Sequence, residues 1–131
     1  VRDRFLTYFV LRKEINGHLH LALRERTGRD VWQNLYEFYG TETDKPTSDR
    51  PLTDVPGEMN ELIRGGVFVG PPTSAQQLLS HQRIGAIFHQ ISLPETNTVM
   101  LPDGLNWYLI EQIKQLPKPA LIASYLKNQF G

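Results

Sequence analysis

Phe5-Leu-Thr-Tyr-Phe-Val-Leu-Arg12, Asn16-Gly17 and His18-Leu-His-Leu-Ala-Leu-Arg24 follow one another near the start of the chain. The first run is aromatic and β-branched, the composition that strands favour. Asn-Gly between two such runs is the strongest short hairpin signal, because a two-residue turn of the favoured hand needs positive φ at both positions. The last run alternates polar and apolar, which puts Leu19, Leu21 and Leu23 on one face. The chain therefore opens on a β-hairpin, and the remaining elements are placed outward from it.

Thr27-Gly28-Arg29-Asp30 is a turn, and Val31 to Phe38 is expected as a third, core-facing strand with an irregularity at Gln33-Asn34. Gly40 to Pro56, rich in Thr, Asp and Pro, is expected as a long surface loop. Glu58 to Arg64 should make one or two helical turns, stopped by Gly65-Gly66. Gln76 to His89 and Ile91 carry two apolar stretches, expected as strands on either side of Ser80-His81. Trp107-Tyr108-Leu109 fits an edge strand, and Ile110 to Leu116 a short helix ended by Pro117. Pro119 suits a helix start, and Leu121, Ile122, Tyr125 and Leu126 then recur at helical spacing. This order predicts an α+β domain over residues 1–131, a mixed sheet with helices packed on it.

The 131 residues include 14 basic and 14 acidic side chains, so the net charge is zero. With 40% hydrophobic and 21% charged residues the composition is that of a globular domain. A dedicated nucleic-acid binder usually carries a basic excess, so any such role must rest on local clustering. The chain has no cysteine, which excludes a disulfide framework and a thiolate metal site in this segment and fits a reducing cytoplasm. No apolar run approaches the ~20 residues of a membrane span. Val1 stands where a Met would open a chain, and strand sequence follows almost at once. The segment is therefore expected to be part of a longer polypeptide.

Catalytic patterns are missing. His18 and His20 share a strand face, but no third ligand lies near them in sequence, so a solvated face is the expectation and no metal is assigned. No Gly-x-Ser-x-Gly, phosphate-cradling Gly-rich loop or His-Glu-x-x-His occurs. Gly57-Glu-Met-Asn-Glu-Leu-Ile-Arg64 sits where a Nudix hydrolase carries its metal-binding helix, but it has only two carboxylates. No glycine has a glutamate six positions on, and the one Arg-Glu pair, Arg24-Glu25, continues Arg26-Thr27-Gly28-Arg29. Hard cations need several oxygen ligands, so the helix is expected to be degenerate and the segment non-catalytic.

Three segments together resemble the Nudix-like C-terminal domain of MutY-type adenine DNA glycosylases. Val31-Trp-Gln-Asn-Leu-Tyr-Glu-Phe38 is similar to the family's Leu-Trp-Glu-Phe-Pro strand, and Leu79-Ser-His-Gln-Arg-Ile84 to its Phe-Ser-His loop. Trp107-Tyr108 with Leu116-Pro-Lys-Pro-Ala120 and the closing helix is the third. Leu79 stands where the family often has Phe, and Tyr39 where it often has Pro.

The resemblance implies a module that reads 8-oxoguanine opposite adenine in double-stranded DNA during base excision repair. It would act as a monomer, joined to an N-terminal glycosylase domain of the same chain. That domain would hold the excision chemistry and a 4Fe-4S cluster; this segment would hold no cofactor. Ser80 is the expected lesion contact, with Leu79 and His81 shaping the loop against the duplex. Arg12, Lys13, Arg24, Arg26, Arg29 and Arg83 are the candidate phosphate contacts. Trp32, Tyr36, Phe38 and Trp107 are expected in the core. Two other readings follow from the same residues: a divergent Nudix pyrophosphohydrolase acting on an oxidised nucleotide, and a module that docks repair proteins through the Gly40–Pro56 loop.

Overall fold

The fold turns on one long strand that serves three neighbours. In a computed structural model, which describes residues 2–28, 30–43, 45–46 and 55–131, β1 (Arg2–Ile15) lies parallel to β7 (Gln82–Leu93) along its length. Its other edge is divided. β4 (Tyr39–Thr43) pairs antiparallel with the first half, from Phe5 to Phe9, and β2 (His18–Glu25) pairs with the second, from Arg12 to Ile15. β2 then leaves β1 and pairs with β8 (Asn106–Leu109) and with β3 (Tyr36–Glu37). β5 (Val67–Phe68) and β6 (Thr73–Leu78) flank β7 on its far edge.

Both faces of this sheet are covered, which is why Leu6 to Leu11 is buried without a break, apolar at every position but Thr7, instead of alternating. Leu6, Tyr8 and Val10 face one core with Ile84, Ala86 and Phe88; α2 (Ile110–Ile113) and α3 (Ala120–Phe130) close it through Ile113, Leu121, Ile122 and Tyr125. Phe9 and Leu11 face the other core with Ile91 and Leu93; a 3-10 turn (Gly57–Met59) and α1 (Asn60–Arg64) close that one through Met59 and Leu62. The first core is centred on a stack: Tyr8 on Phe88 at 5.3 Å and Phe88 on Tyr125 at 4.1 Å. The two tyrosine hydroxyls are not stranded there. Tyr8 donates to Glu37 Oε1 at 2.9 Å, and Tyr125 accepts from Gln90 Nε2 at 3.2 Å.

The α+β architecture, the opening hairpin, the strands around Ser80-His81, the edge strand and the three helical segments are as the sequence predicts. Two expectations need correction. Val31 to Phe38 is not a strand: residues 31–34 form a turn, and only Tyr36 and Glu37 pair, with β2. Asp30 sets the turn, its Oδ1 accepting the Trp32 amide at 2.8 Å, and Asn34 takes positive φ (70°). Trp32 and Phe38 are buried as expected, Trp32 by the turn and not by strand alternation, while Tyr36 and Trp107 are half-buried.

The surface loop, expected from Gly40, begins later because Gly40 to Thr43 belong to β4. Gly40 opposes Tyr8, whose ring occupies the space a Cβ would need, 2.7 Å from it. Of the remainder, Asp44 and residues 47–54 lie outside the described residues.

Candidate nucleic-acid interface

β6 and β7 are joined by a two-residue turn. The Leu79 amide donates to the Gln82 carbonyl at 2.8 Å, and Gln82 returns the bond at 3.4 Å, which leaves Ser80 and His81 exposed at the tip. Neither has positive φ, so this is not one of the primed turns that match strand twist. Leu79 turns inward against the first core, and its neighbour Leu78 is the exposed leucine, at 74%. The tip is tied to the start of β1, where the Arg2 amide donates to the His81 carbonyl at 3.0 Å.

Two exposed cations flank it. Arg83 lies 3.8 Å from Asp3 and Arg2 lies 3.9 Å from Glu42, in both cases loosely enough for a competing anion to draw the guanidinium away. Arg2 is a candidate that reasoning from sequence did not single out. Its only signal was its place at the start of the first strand.

Beneath the tip lies a buried ionic network. Arg4 is 5% exposed and holds Glu42 with two bonds, of 2.9 and 2.7 Å, while a third reaches Gln82 Oε1 at 3.1 Å. Asp30 bridges Arg4 to Arg26, and Arg26 Nη1 spans both oxygens of the buried Glu37 at 2.9 and 3.0 Å. The bonds from Arg4 hold the Glu42 carboxyl below its usual range. Burial works against the charge of Arg26, but Glu37 and Asp30 outweigh it and raise its pKa. The sequence carries a sign of Arg4: it falls in step with Leu6, Tyr8 and Val10, the inward positions of β1.

The predicted phosphate contacts thus separate into three places. Arg83 stands at the tip. Arg24 and Arg26 are engaged by Glu37, with Arg24 also over the Tyr39 ring at 5.1 Å. Arg12 and Lys13 lie toward the far end of β1, roughly 33 Å from Arg2 at ~3.3 Å per residue; Arg12 donates to Gln90 at 2.8 Å and Lys13 to the Asn97 carbonyl at 2.7 Å. Arg29 lies outside the described residues. His20 Nδ1 lies 2.8 Å from the His18 carbonyl, a local contact on the solvated face of β2.

A Nudix-type divalent metal does not fit the side chains present. Among the described residues no three of His, Cys, Asp or Glu converge. In the helical segment Glu58 accepts a bond from the Tyr39 hydroxyl; burial first, then this carboxylate, pushes that phenol up to about 12. Glu61, the other carboxylate, is exposed and has no such partner set around it.

A mixed sheet with a shared central strand, covered by helices on both faces, is the Nudix architecture. The NUDIX domain profile matches residues 7–128, and the chain belongs to that family. Its fold is similar to that of the C-terminal domain of mouse MUTYH, solved in complex with human PCNA, with a TM-score of 0.68 at 12% identity; the alignment covers 96% of this chain and 86% of that one. It is similar also to C. elegans Ap4A hydrolase, with a TM-score of 0.66 at 11% identity over 94% of this chain and 92% of that one. The NUDIX domain of Shewanella oneidensis NrtR, complexed with ADP ribose, gives a TM-score of 0.56 at 14% identity, covering 94% and 83%. No curated protein matches the chain. No helix among the described residues is long and apolar enough to cross a membrane.

Proposed function

We propose that this chain is the lesion-reading domain of an adenine DNA glycosylase, recognising 8-oxoguanine opposite adenine in duplex DNA. The observation that carries the reading is the Ser80-His81 tip, which stands clear of the sheet on a hairpin anchored by Arg4 and Arg2. The resemblance to the MutY Phe-Ser-His loop falls on this tip, and the fold shared with the mouse MUTYH domain agrees with it. Guanine offers a bare N7 acceptor in the major groove; 8-oxoguanine offers an N7–H donor and an added oxygen at C8. A serine hydroxyl both accepts and donates, so it can satisfy the oxidised base where a pure donor or acceptor would meet only half of it. Arg83 and Arg2 supply phosphate contacts that position the tip without carrying sequence information. The partner is the glycosylase domain of the same polypeptide, which brings the catalytic carboxylates and the iron–sulfur cluster.

The experiment is excision by the full-length parent on two duplexes that differ only in the C8 oxygen. Ser80→Ala should erode the preference for the lesion by somewhat less than the ~1–3 kcal/mol of a good bidentate base contact. Equal slowing of both substrates, or no change in either, would remove Ser80 as the reader.

A hydrolase is the second reading, favoured by the fold shared with Ap4A hydrolase. Magnesium-dependent release of phosphate from nucleotides by the purified chain would establish it. The chain also shares its fold with the mouse domain complexed with PCNA, which supports a protein-docking role beside the DNA-reading one.

A further inference from the structure

Between α2 and α3 lies a groove of about 340 Å³. Its floor is Ile110, Ile113, Ala123, Leu126 and Phe130, and its rim carries Lys114, Lys118 and Lys127. Two facts set it apart from an ordinary helix crevice. Along α3, Ala123, Leu126 and Phe130 form a second apolar stripe, beside the Leu121, Ile122 and Tyr125 positions that the sheet already buries. Lys127 is the only charge on that helix. Residues 112–131 contain three lysines and no Asp or Glu, in a chain whose net charge is zero. Exposed Glu111 reaches Lys114 at 3.4 Å.

The groove is also firmly walled. Lys118 donates to the Ile113 and Leu116 carbonyls, both at 2.8 Å, capping the end of α2, and the Tyr36 amide holds the Pro117 carbonyl at 2.8 Å.

We infer that this groove docks a short protein segment whose apolar side chains are interleaved with carboxylates, such as an acidic amphipathic helix. An apolar floor wants aliphatic or aromatic anchors at i, i+3 and i+7, the spacing of helix-in-groove recognition. The lysine rim selects a negative flank. A DNA backbone would satisfy the lysines but leave the floor uncovered, so the peptide is the better fit. None of its lining residues belongs to the Ser80 tip, and its docking role does not depend on the DNA-reading assignment.

The probe is a synthetic peptide with leucines at i, i+3 and i+7 and glutamates between them, set against a scrambled peptide of identical composition. Titrated into the isotope-labelled chain, it should shift the amide resonances of α2 and α3 and leave those of Ser80 and His81 in place, while the scrambled peptide does neither. Lys114→Glu combined with Lys127→Glu should weaken binding about tenfold or more, since like charges then face each other, with an unchanged melting curve. Ala123→Asp should abolish it. If the scrambled peptide binds equally, or the shifts centre on the β6–β7 tip, the inference fails. If duplex DNA displaces the peptide and the lysine variant loses DNA affinity, the rim is a phosphate contact instead. Concentration-dependent sedimentation that Ala123→Asp removes would put a second copy of the chain in the groove and overturn the peptide assignment.

Discussion

Two hairpins in this molecule have two-residue turns, and they are made in opposite ways. At Asn16-Gly17 both residues have positive φ, 54° and 79°, and the turn matches the twist of its strands through its own backbone, with one outside contact where the Asn16 amide donates to Glu95 Oε1 at 2.8 Å. At Ser80-His81 neither does, and the turn is instead secured from outside, by the Arg2 amide on His81 and by Arg4 on Gln82. A self-sufficient turn can sit anywhere. A turn whose side chains are free of structural duty, because β1 and the ionic network do the holding, is one whose residues can be chosen for contact.

The largest test strikes that support. Arg4→Ala strips a buried cation from Glu42, Asp30 and Gln82; the two carboxylates left behind are part-exposed, so the loss is about 1–3 kcal/mol. Chemical denaturation should show the loss. Hydrogen exchange should quicken at the Leu79 and Gln82 amides and not at the first hairpin; uniform quickening would mean that the network holds the whole sheet and has no special relation to the tip.

Exchanging the turn chemistry comes next. Ser80→Gly with His81→Gly installs at the second tip a pair that takes positive φ unaided, and it removes the serine hydroxyl. Stability should move by only about 0.5 kcal/mol, as for other exposed positions, while preference for 8-oxoguanine falls in the parent enzyme at least as far as in Ser80→Ala. Retained preference would locate the reading elsewhere.

The converse change, Gly17→Ala, puts a Cβ at φ +79° and should cost roughly 1–2 kcal/mol by thermal melting, with lesion discrimination untouched.

The smallest effect is a pH dependence from β7, the strand that leaves the second tip. His89 is 5% exposed, sits against Phe9 and Phe68, and has no partner for Nε2 among the described residues. Burial lowers its pKa below the usual imidazole range. The unfolded chain therefore takes up a proton first, and stability held above the ordinary imidazole pKa is lost as pH falls from there toward the depressed native value. Melting temperatures between about pH 7.5 and 5 should show a slope that flattens in His89→Leu. An equal slope in the variant would assign it to other groups.

The same contrast explains what was legible in the sequence. Asn16-Gly17 announces itself because its cause lies within two residues. The strands around Ser80-His81 are visible as apolar runs, but the anchoring of their turn depends on Arg4, seventy-eight positions from Gln82. Glu42 and Arg4, thirty-eight apart, are invisible as partners for the same reason. The aromatic stretch Val31 to Phe38 misleads because burial, which made it look like a strand, is achieved through the turn set by Asp30. Arg24 and Arg26 show as surface cations in sequence, since nothing local reveals that Glu37 will stand against them.

The parallel pairing of β1 with β7 has a further consequence, in time. Arg2 meets Gln82 eighty residues later, so the central pair of the sheet cannot form until most of the chain exists. At ~5–20 residues per second, roughly 4–16 s separate the synthesis of the two partners. For that interval the most apolar strand of the protein has partners on one edge alone, β2 beside Arg12 to Ile15 and then β4 beside Phe5 to Phe9. The first hairpin and β4 thus cover one edge of the apolar strand in the nascent chain while the other stands open to aggregation, and the contacts that finish the sheet, being long in sequence, make its folding slow.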